Sequence, residues 1–224
     1  MDIHPDNTAE RYDHRNTYVP RLIAAAAALS VFFLIHYLYT ADLLLNFDRT
    51  VGNAIRSLRG PLMDPLMKSI TFMGNWEVLV GTGVVILAVN LIVWRKLDCT
   101  LAVVAALTNF GIYQALKHII KRPRPDDLLW LIEEHGYSLP SGHSMNGMFC
   151  YGIMLYLVWR NIENVKLHNA LTVLLCLLPP LIAFSRVYCG VHYPSDVIAG
   201  LSAGFAMLMI MTVIIDEIVL RRTS

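Results

Sequence analysis

The sequence predicts an all-α integral membrane protein: a bundle of six transmembrane helices with an interfacial amphipathic helix between the first and second spans. Three observations carry that prediction. Hydrophobic residues make up 56% of the 224-residue chain and charged residues only 16%, against about 25% charged in ordinary soluble domains. Six apolar stretches reach or approach the roughly 20 helical residues needed to cross a hydrocarbon core. Between the first two lies a stretch with apolar residues at helical spacing and charges on its other faces. The formal net charge is +1 without a long basic run, which argues against nucleic acid as a partner. Cys99, Cys150, Cys176 and Cys189 show neither CxxC nor zinc spacing. Three of them sit in apolar runs, so they are read as small hydrophobes, not as a disulfide framework.

Residues 1–21 are polar and of mixed charge, a tail ahead of a single six-span domain over 22–224. The first span, 22–39, is longer than a signal-peptide core and lacks a compact basic start, so it is expected to be retained. His36 near its end fits an interfacial side chain. Over 41–60, Phe47, Val51, Ala54, Ile55 and Leu58 repeat at helical spacing while Asp48, Arg49, Arg56 and Arg59 take other faces. That pattern predicts a helix lying on the membrane surface, ended by Gly60-Pro61. Leu62, Met63, Leu66, Met67 and Ile70 continue a second apolar face up to Gly74.

Span two, 76–94, is bracketed by Trp76 and Trp94, residues that favour the interface, and Arg95-Lys96 closes it. Span three is 99–116, with Lys117 at its end. Span four, 144–159, is short; a start near Ser141 brings it to spanning length. Span five, 167–184, contains Pro179-Pro180, predicted to kink or locally break it. Span six, 197–219, ends at Arg221-Arg222. Gly200 and Gly204 within it form a small-xxx-small pair suited to close packing inside the bundle. Asp216 and Glu217 are expected at the interface, and Asp126-Asp127 and Glu133-Glu134 in a solvated loop.

An even number of spans puts both termini on one side. Lys and Arg divide evenly between the two sides, but those on the termini side sit tightly at helix ends, which favours cytoplasmic termini.

Three clusters then fall on the opposite side. Ser185-Arg186 and His192-x-x-x-Asp196 lie between spans five and six. On a helix, residues four apart share a face, so Asp196 could hold one nitrogen of His192 and leave the other free as base or nucleophile. Pro194 suits the first turn of such a helix. Pro140-Ser141-Gly142-His143 opens span four, where unpaired backbone N–H groups and the helix dipole attract an anion. There Gly142 permits close approach and His143 can protonate a leaving group. Ser141 as a simple cap and His143 as an interfacial histidine are the competing readings. The run Lys117-His118-Ile119-Ile120-Lys121-Arg122-Pro123-Arg124-Pro125 adds positive charge, which a solvated face or contact with anionic headgroups also explains. Together the clusters supply Lys117, Arg124 and Arg186 as cations, a helix N-terminus and two histidines, a set that suits two-step phosphoryl transfer.

These residues resemble the three-part signature of the type 2 phosphatidic acid phosphatase family, K-x6-RP, PSGH and SR-x5-H-x3-D. Here they are Lys117…Arg124-Pro125, Pro140-Ser141-Gly142-His143 and Ser185-Arg186…His192…Asp196. The resemblance covers 117–196 directly. It implies a lipid phosphatase without metal or other cofactor, in which His192 attacks phosphorus, Asp196 orients it and His143 protonates the leaving oxygen. Lys117, Arg124, Ser141, Gly142 and Arg186 would hold the phosphoryl oxygens. The implied partners are the bilayer and a lipid phosphate: phosphatidylglycerol phosphate, phosphatidic acid or undecaprenyl diphosphate. No obligate protein partner is expected. The implied location is the plasma membrane, with the site on its extracytoplasmic face. Lys121 and Arg122 lie outside the signature and would favour a substrate with extra negative charge, or form a solvated face. A lipid-dependent phosphotransferase or a lipid A phosphatase would share the signature. An anion transporter is a different class; charges gathered at one face instead of midplane, and no evident inverted repeat, argue against it. A vanadate-dependent haloperoxidase shares the oxyanion pocket but is soluble.

Overall fold

A computed structural model describes residues 17–93 and 96–223. Most of the polar tail and residues 94 and 95, at the predicted close of span two, lie outside them. Among the described residues there are eight α-helices, one short 3-10 turn and no strand. The helices are α1 (Tyr18–Thr40), α2 (Leu45–Arg56), α3 (Met63–Phe72), α4 (Trp76–Val93), α5 (Lys96–Ile120), α6 (Gly142–Asn161), α7 (Val165–Tyr188) and α8 (Pro194–Thr223), with the 3-10 turn at Asp127–Leu129. By length and composition, Tyr18–Thr40, Val165–Tyr188 and Pro194–Arg222 can each cross a membrane.

The bundle core is α6, packed against both α7 and α8, with α1 on the other side of α8. Small residues permit this. A side-chain carbon added at Gly204 would lie 2.4 Å from the Met145 carbonyl oxygen, and one at Gly200 would lie 2.7 Å from that of Ser141. The glycine pair therefore serves packing inside the bundle, as predicted. Outward-facing positions are apolar: Ile23, Phe33, Leu107 and Val173 are all more than half exposed. In water such a belt would be costly, while a bilayer accepts it.

Four expectations about elements change. The first helix opens at Tyr18, so Arg21 belongs to it and not to a tail; its guanidinium meets Asp216 at 2.7 Å. The surface helix expected over 41–60 is shorter, Leu45–Arg56, because Asp42 turns the chain with φ 59° ahead of it, and the second apolar face forms its own helix, Met63–Phe72. Residues 165–188 form one unbroken helix despite Pro179-Pro180. Proline keeps a helical φ, and the carbonyls left without a donor are tolerated in a helix packed by neighbours. Asp216, expected at the interface, is enclosed by side chains: it accepts from Tyr156 Oη at 2.6 Å and pairs with both Arg21 and Arg160. This cluster ties α1, α6 and α8 together at the end of the bundle away from the histidines. Span four meets expectation, beginning at Gly142 and running 20 residues.

Candidate active site

The loop 121–141 and the turn 189–193 meet at one end of the bundle. Helix α5 stops because Lys121 takes a left-handed φ of 52° and Pro123 and Pro125 follow. The loop is then fixed by its backbone: Ser138 N donates to Arg122 O (2.8 Å) and Leu131 N to Cys189 O (2.9 Å). Gly190 makes the tight turn before His192. Its φ is +81°, and a side-chain carbon there would sit 2.1 Å from the Leu129 carbonyl oxygen. Only glycine fits.

His192 is buried at 1% exposure. Contrary to the helical reading, it stands in the turn before α8, two residues ahead of Pro194. The pairing with Asp196 survives because the turn folds back over the helix start: His192 Nδ1 lies 3.4 Å from Asp196 Oδ2. Ser138 Oγ sits between them, 3.3 Å from Nδ1, and donates to Asp196 Oδ2. The Tyr193 backbone N–H donates to the same oxygen at 2.9 Å. On the other nitrogen, Arg124 Nη1 lies 3.0 Å from Nε2. Arginine can only donate, so the network assigns the proton to Nδ1, directed at Asp196 and Ser138, and the lone pair to Nε2. Burial first, then the charges of Arg124, Arg186, Lys117 and His143, hold His192 well below the usual histidine pKa. It is a neutral imidazole at neutral pH, with its lone pair on Nε2.

Arg124 is anchored by donating to the carbonyls of Val191 (2.8 Å), Gly136 (3.0 Å) and His135 (2.8 Å). Burial lowers it to about 10, still a cation at neutral pH. Arg186, 1% exposed, donates to Thr71 Oγ1 at 2.9 Å and to Glu134, and its Nη1 lies 3.3 Å from His143 Nε2. His143 Nε2 also lies 2.8 Å from Asn75 Oδ1. Lys117 is buried, its ammonium 5.2 Å from the centre of the Tyr113 ring. Ser141 does not use its side chain to cap α6. Its hydroxyl accepts from Ser144 Oγ at 3.0 Å, which leaves its own proton to donate. At Gly142 the close approach is by the Tyr113 hydroxyl, 2.4 Å from where a side-chain carbon would stand.

Lys117, Arg124, Gly142, His143 and His192 line one cavity of about 740 Å³. It continues between α4, α5 and α6 past Leu79, Val80, Val84, Val103, Leu107 and Phe110. One end is cationic and the rest is apolar, the shape of a lipid with a phosphate head.

Several participants were missed by sequence reasoning. Glu134, expected in solvent, bridges Arg124 (3.6 Å) and Arg186 and lines the cavity. Thr71 lies in, and Asn75 just beyond, the segment read only as a second apolar face up to Gly74. Arg122 is not offered to substrate: it is 6% exposed and forks between Asp48 (2.6 Å) and Asp196 (2.7 Å). Burial pulls its pKa down, but Asp196 and Asp48 hold it above the ordinary value. Lys121 remains exposed. No local pattern marks Glu134 or Asp48, since Arg186 and Arg122 reach them only through the fold.

Fold and pocket together define a phosphoric ester hydrolase built into a membrane bundle. A family model described as the PAP2 superfamily matches residues 98–219, more than half of the chain, and the chain belongs to that superfamily. It is similar, at 30% identity over 166 residues, to phosphatidylglycerophosphatase B of Bacillus subtilis (strain 168), covering 73% of this chain and 81% of that protein. The putative undecaprenyl-diphosphatase YbjG of Escherichia coli (strain K12) is 31% identical over 137 residues, 55% of this chain and 62% of that one. The crystal structure of a transmembrane PAP2 type phosphatidylglycerolphosphate phosphatase from Bacillus subtilis superposes with a TM-score of 0.81 at 26% identity, covering 87% of this chain and 96% of the other.

Proposed function

We propose that the protein removes phosphate from a membrane lipid through a phosphohistidine on His192. Its substrate would be a lipid phosphomonoester or diphosphate of the kind that phosphatidylglycerol phosphate, phosphatidic acid and undecaprenyl diphosphate represent. The observation that carries this reading is the Nε2 of His192, neutral, facing Arg124 at 3.0 Å and lining a cavity with an apolar extension. The Nε2 lone pair attacks phosphorus, the P–O bond to the lipid breaks, and His143 gives its proton to the departing oxygen. Water then attacks the phosphohistidine, returns a proton to His143, and the N–P bond breaks to release inorganic phosphate. Asp196 holds the imidazole and offsets the charge it gains. Arg124, Arg186 and Lys117, with the Ser141 hydroxyl and the start of α6, neutralise the phosphoryl oxygens, so the reaction is expected to need no metal.

Six spans, cytoplasmic termini and an extracytoplasmic site in the plasma membrane complete the proposal. The relatives named for phosphatidylglycerophosphatase and undecaprenyl-diphosphatase activity support the substrate class. The test is phosphate release from the three lipids by detergent-solubilised protein in EDTA, wild type against His192→Ala. EDTA-resistant turnover lost in the variant supports the reading, and the rate order names the substrate. Turnover abolished by EDTA in the wild type overturns the metal-free step.

A further inference from the structure

We propose that Asp48, on the surface helix α2, is a positioning residue for His192, acting through Arg122 on Asp196. The inference rests on the reading of His192 as nucleophile. Asp196 uses its two oxygens differently. Oδ2 receives Ser138 and the Tyr193 N–H and faces His192 Nδ1, while Oδ1 receives Arg122 Nη1 at 2.7 Å. The rotation of the carboxylate, and so the aim of Oδ2 at the imidazole, is set by Arg122. Arg122 is in turn fixed from its far side: Nη2 donates to Asp48 Oδ2 at 2.6 Å, and Nη1 also donates to Ser195 Oγ at 2.8 Å. The guanidinium lies between the rings of Tyr39 and Tyr193, 4.8 and 4.2 Å from their centres.

Asp48 closes the network by accepting from the Ser195 backbone N–H (2.9 Å) and hydroxyl (2.8 Å). Side-chain exposure is 1% for Asp48, 7% for Arg122 and 0% for Asp196. A planar guanidinium forked between two carboxylates has one orientation. A carboxylate from outside the signature thus fixes the histidine's partner, much as a partner behind a metal ligand fixes that ligand. There is an electrostatic consequence as well. Arg122 offsets the Asp196 charge and keeps that charge from favouring the imidazolium. The other groups facing His192 are Arg124, Arg186, Lys117 and His143; Arg124 and Lys117 feel the Asp196 charge at longer range, while Arg122 bonds it at 2.7 Å.

The experiment measures kcat, KM and the pH profile of kcat/KM on phosphatidic acid in detergent micelles, for wild type, Asp48→Asn, the double variant Asp48→Asn/Arg122→Gln, and His192→Ala. Asp48→Asn leaves Arg122 paired with Asp196 and strands no buried charge, so the single variant folds; the double variant takes away the Asp196 partner as well. Expected are a fall in kcat of about 10–100-fold in both, KM within about twofold of wild type, and, in the double variant, an acid limb moved to higher pH. Unchanged kcat, or a loss that raises KM and leaves the acid limb in place, overturns the positioning role while His192→Ala stays inactive. Turnover surviving in His192→Ala overturns the nucleophile, and this inference with it.

Discussion

Arg124 has two opposed effects on His192. Its charge adds to burial in keeping the imidazole neutral, and its N–H points at the Nε2 lone pair from 3.0 Å. On the proposed mechanism, a phosphate oxygen that takes this N–H would free Nε2 to attack. Because the pKa of His192 is depressed, the neutral form is complete above the usual histidine range and is lost only as pH falls well below it. The acid limb of kcat/KM attributable to His192 is accordingly expected below pH 6.5, measured with a soluble short-chain lipid phosphate. An acid limb at or above 6.5 contradicts the assignment. Glu134 makes a second prediction at this scale. Its carboxylate already sits on Arg124 and Arg186, where the incoming phosphate is proposed to bind. Glu134→Gln should strengthen inhibition by inorganic phosphate about tenfold, the scale of one competing charge-assisted contact of roughly 1.5 kcal/mol. A fall in kcat with unchanged phosphate inhibition would instead place Glu134 in the chemistry.

At the scale of elements, α2 and α3 do more than lie on a surface. Helix α2 turns Asp48 and Gly52 inward and leaves Leu45 and Phe47 outward, 52% and 41% exposed. Its inner side is mixed, since Ile55 also packs on the core while Arg49 and Asn53 are exposed. The periodicity was therefore legible but not the burial of Asp48, because a carboxylate on an amphipathic helix reads as solvent-facing until its buried partner is known. Helices α6 and α8 show the opposite case, where the small-xxx-small pair told its own use. Gly204→Ala should destabilise the protein by about 1–3 kcal/mol, read as a lower melting temperature in detergent. The atom its side chain meets, the Met145 carbonyl oxygen, belongs to a helix backbone and cannot swing aside. A melting temperature unchanged from wild type would show that the two helices can separate at no cost.

Over the whole molecule, polarity is divided between two ends. Around the histidines, buried charges are held by a loop, a turn and the short helices. Around Asp216, Arg21 and Arg160 close the other end. Asp216→Ala leaves these arginines without their carboxylate. It should cost about 3–5 kcal/mol of stability while kcat below the melting temperature stays within about twofold of wild type. A comparable loss of kcat would mean the two ends are coupled. The signature positions were legible because phosphoryl chemistry demands particular residue types at short spacings, Lys117 to Arg124 and His192 to Asp196. Asp48, Thr71, Asn75 and Glu134 were not, because each finds a partner more than 50 residues away through the fold, Glu134 reaching Arg186 as well as the nearer Arg124.

The phosphoryl transfer to His192 itself is open to direct observation. Wild type and His192→Ala would be mixed with lipid carrying a radiolabelled phosphate, quenched in denaturant during turnover, and mapped by peptide digestion. The account predicts an acid-labile, alkali-stable label on the peptide that contains His192, absent from the variant. Turnover with no label on any peptide, or a label that persists in His192→Ala, would contradict it.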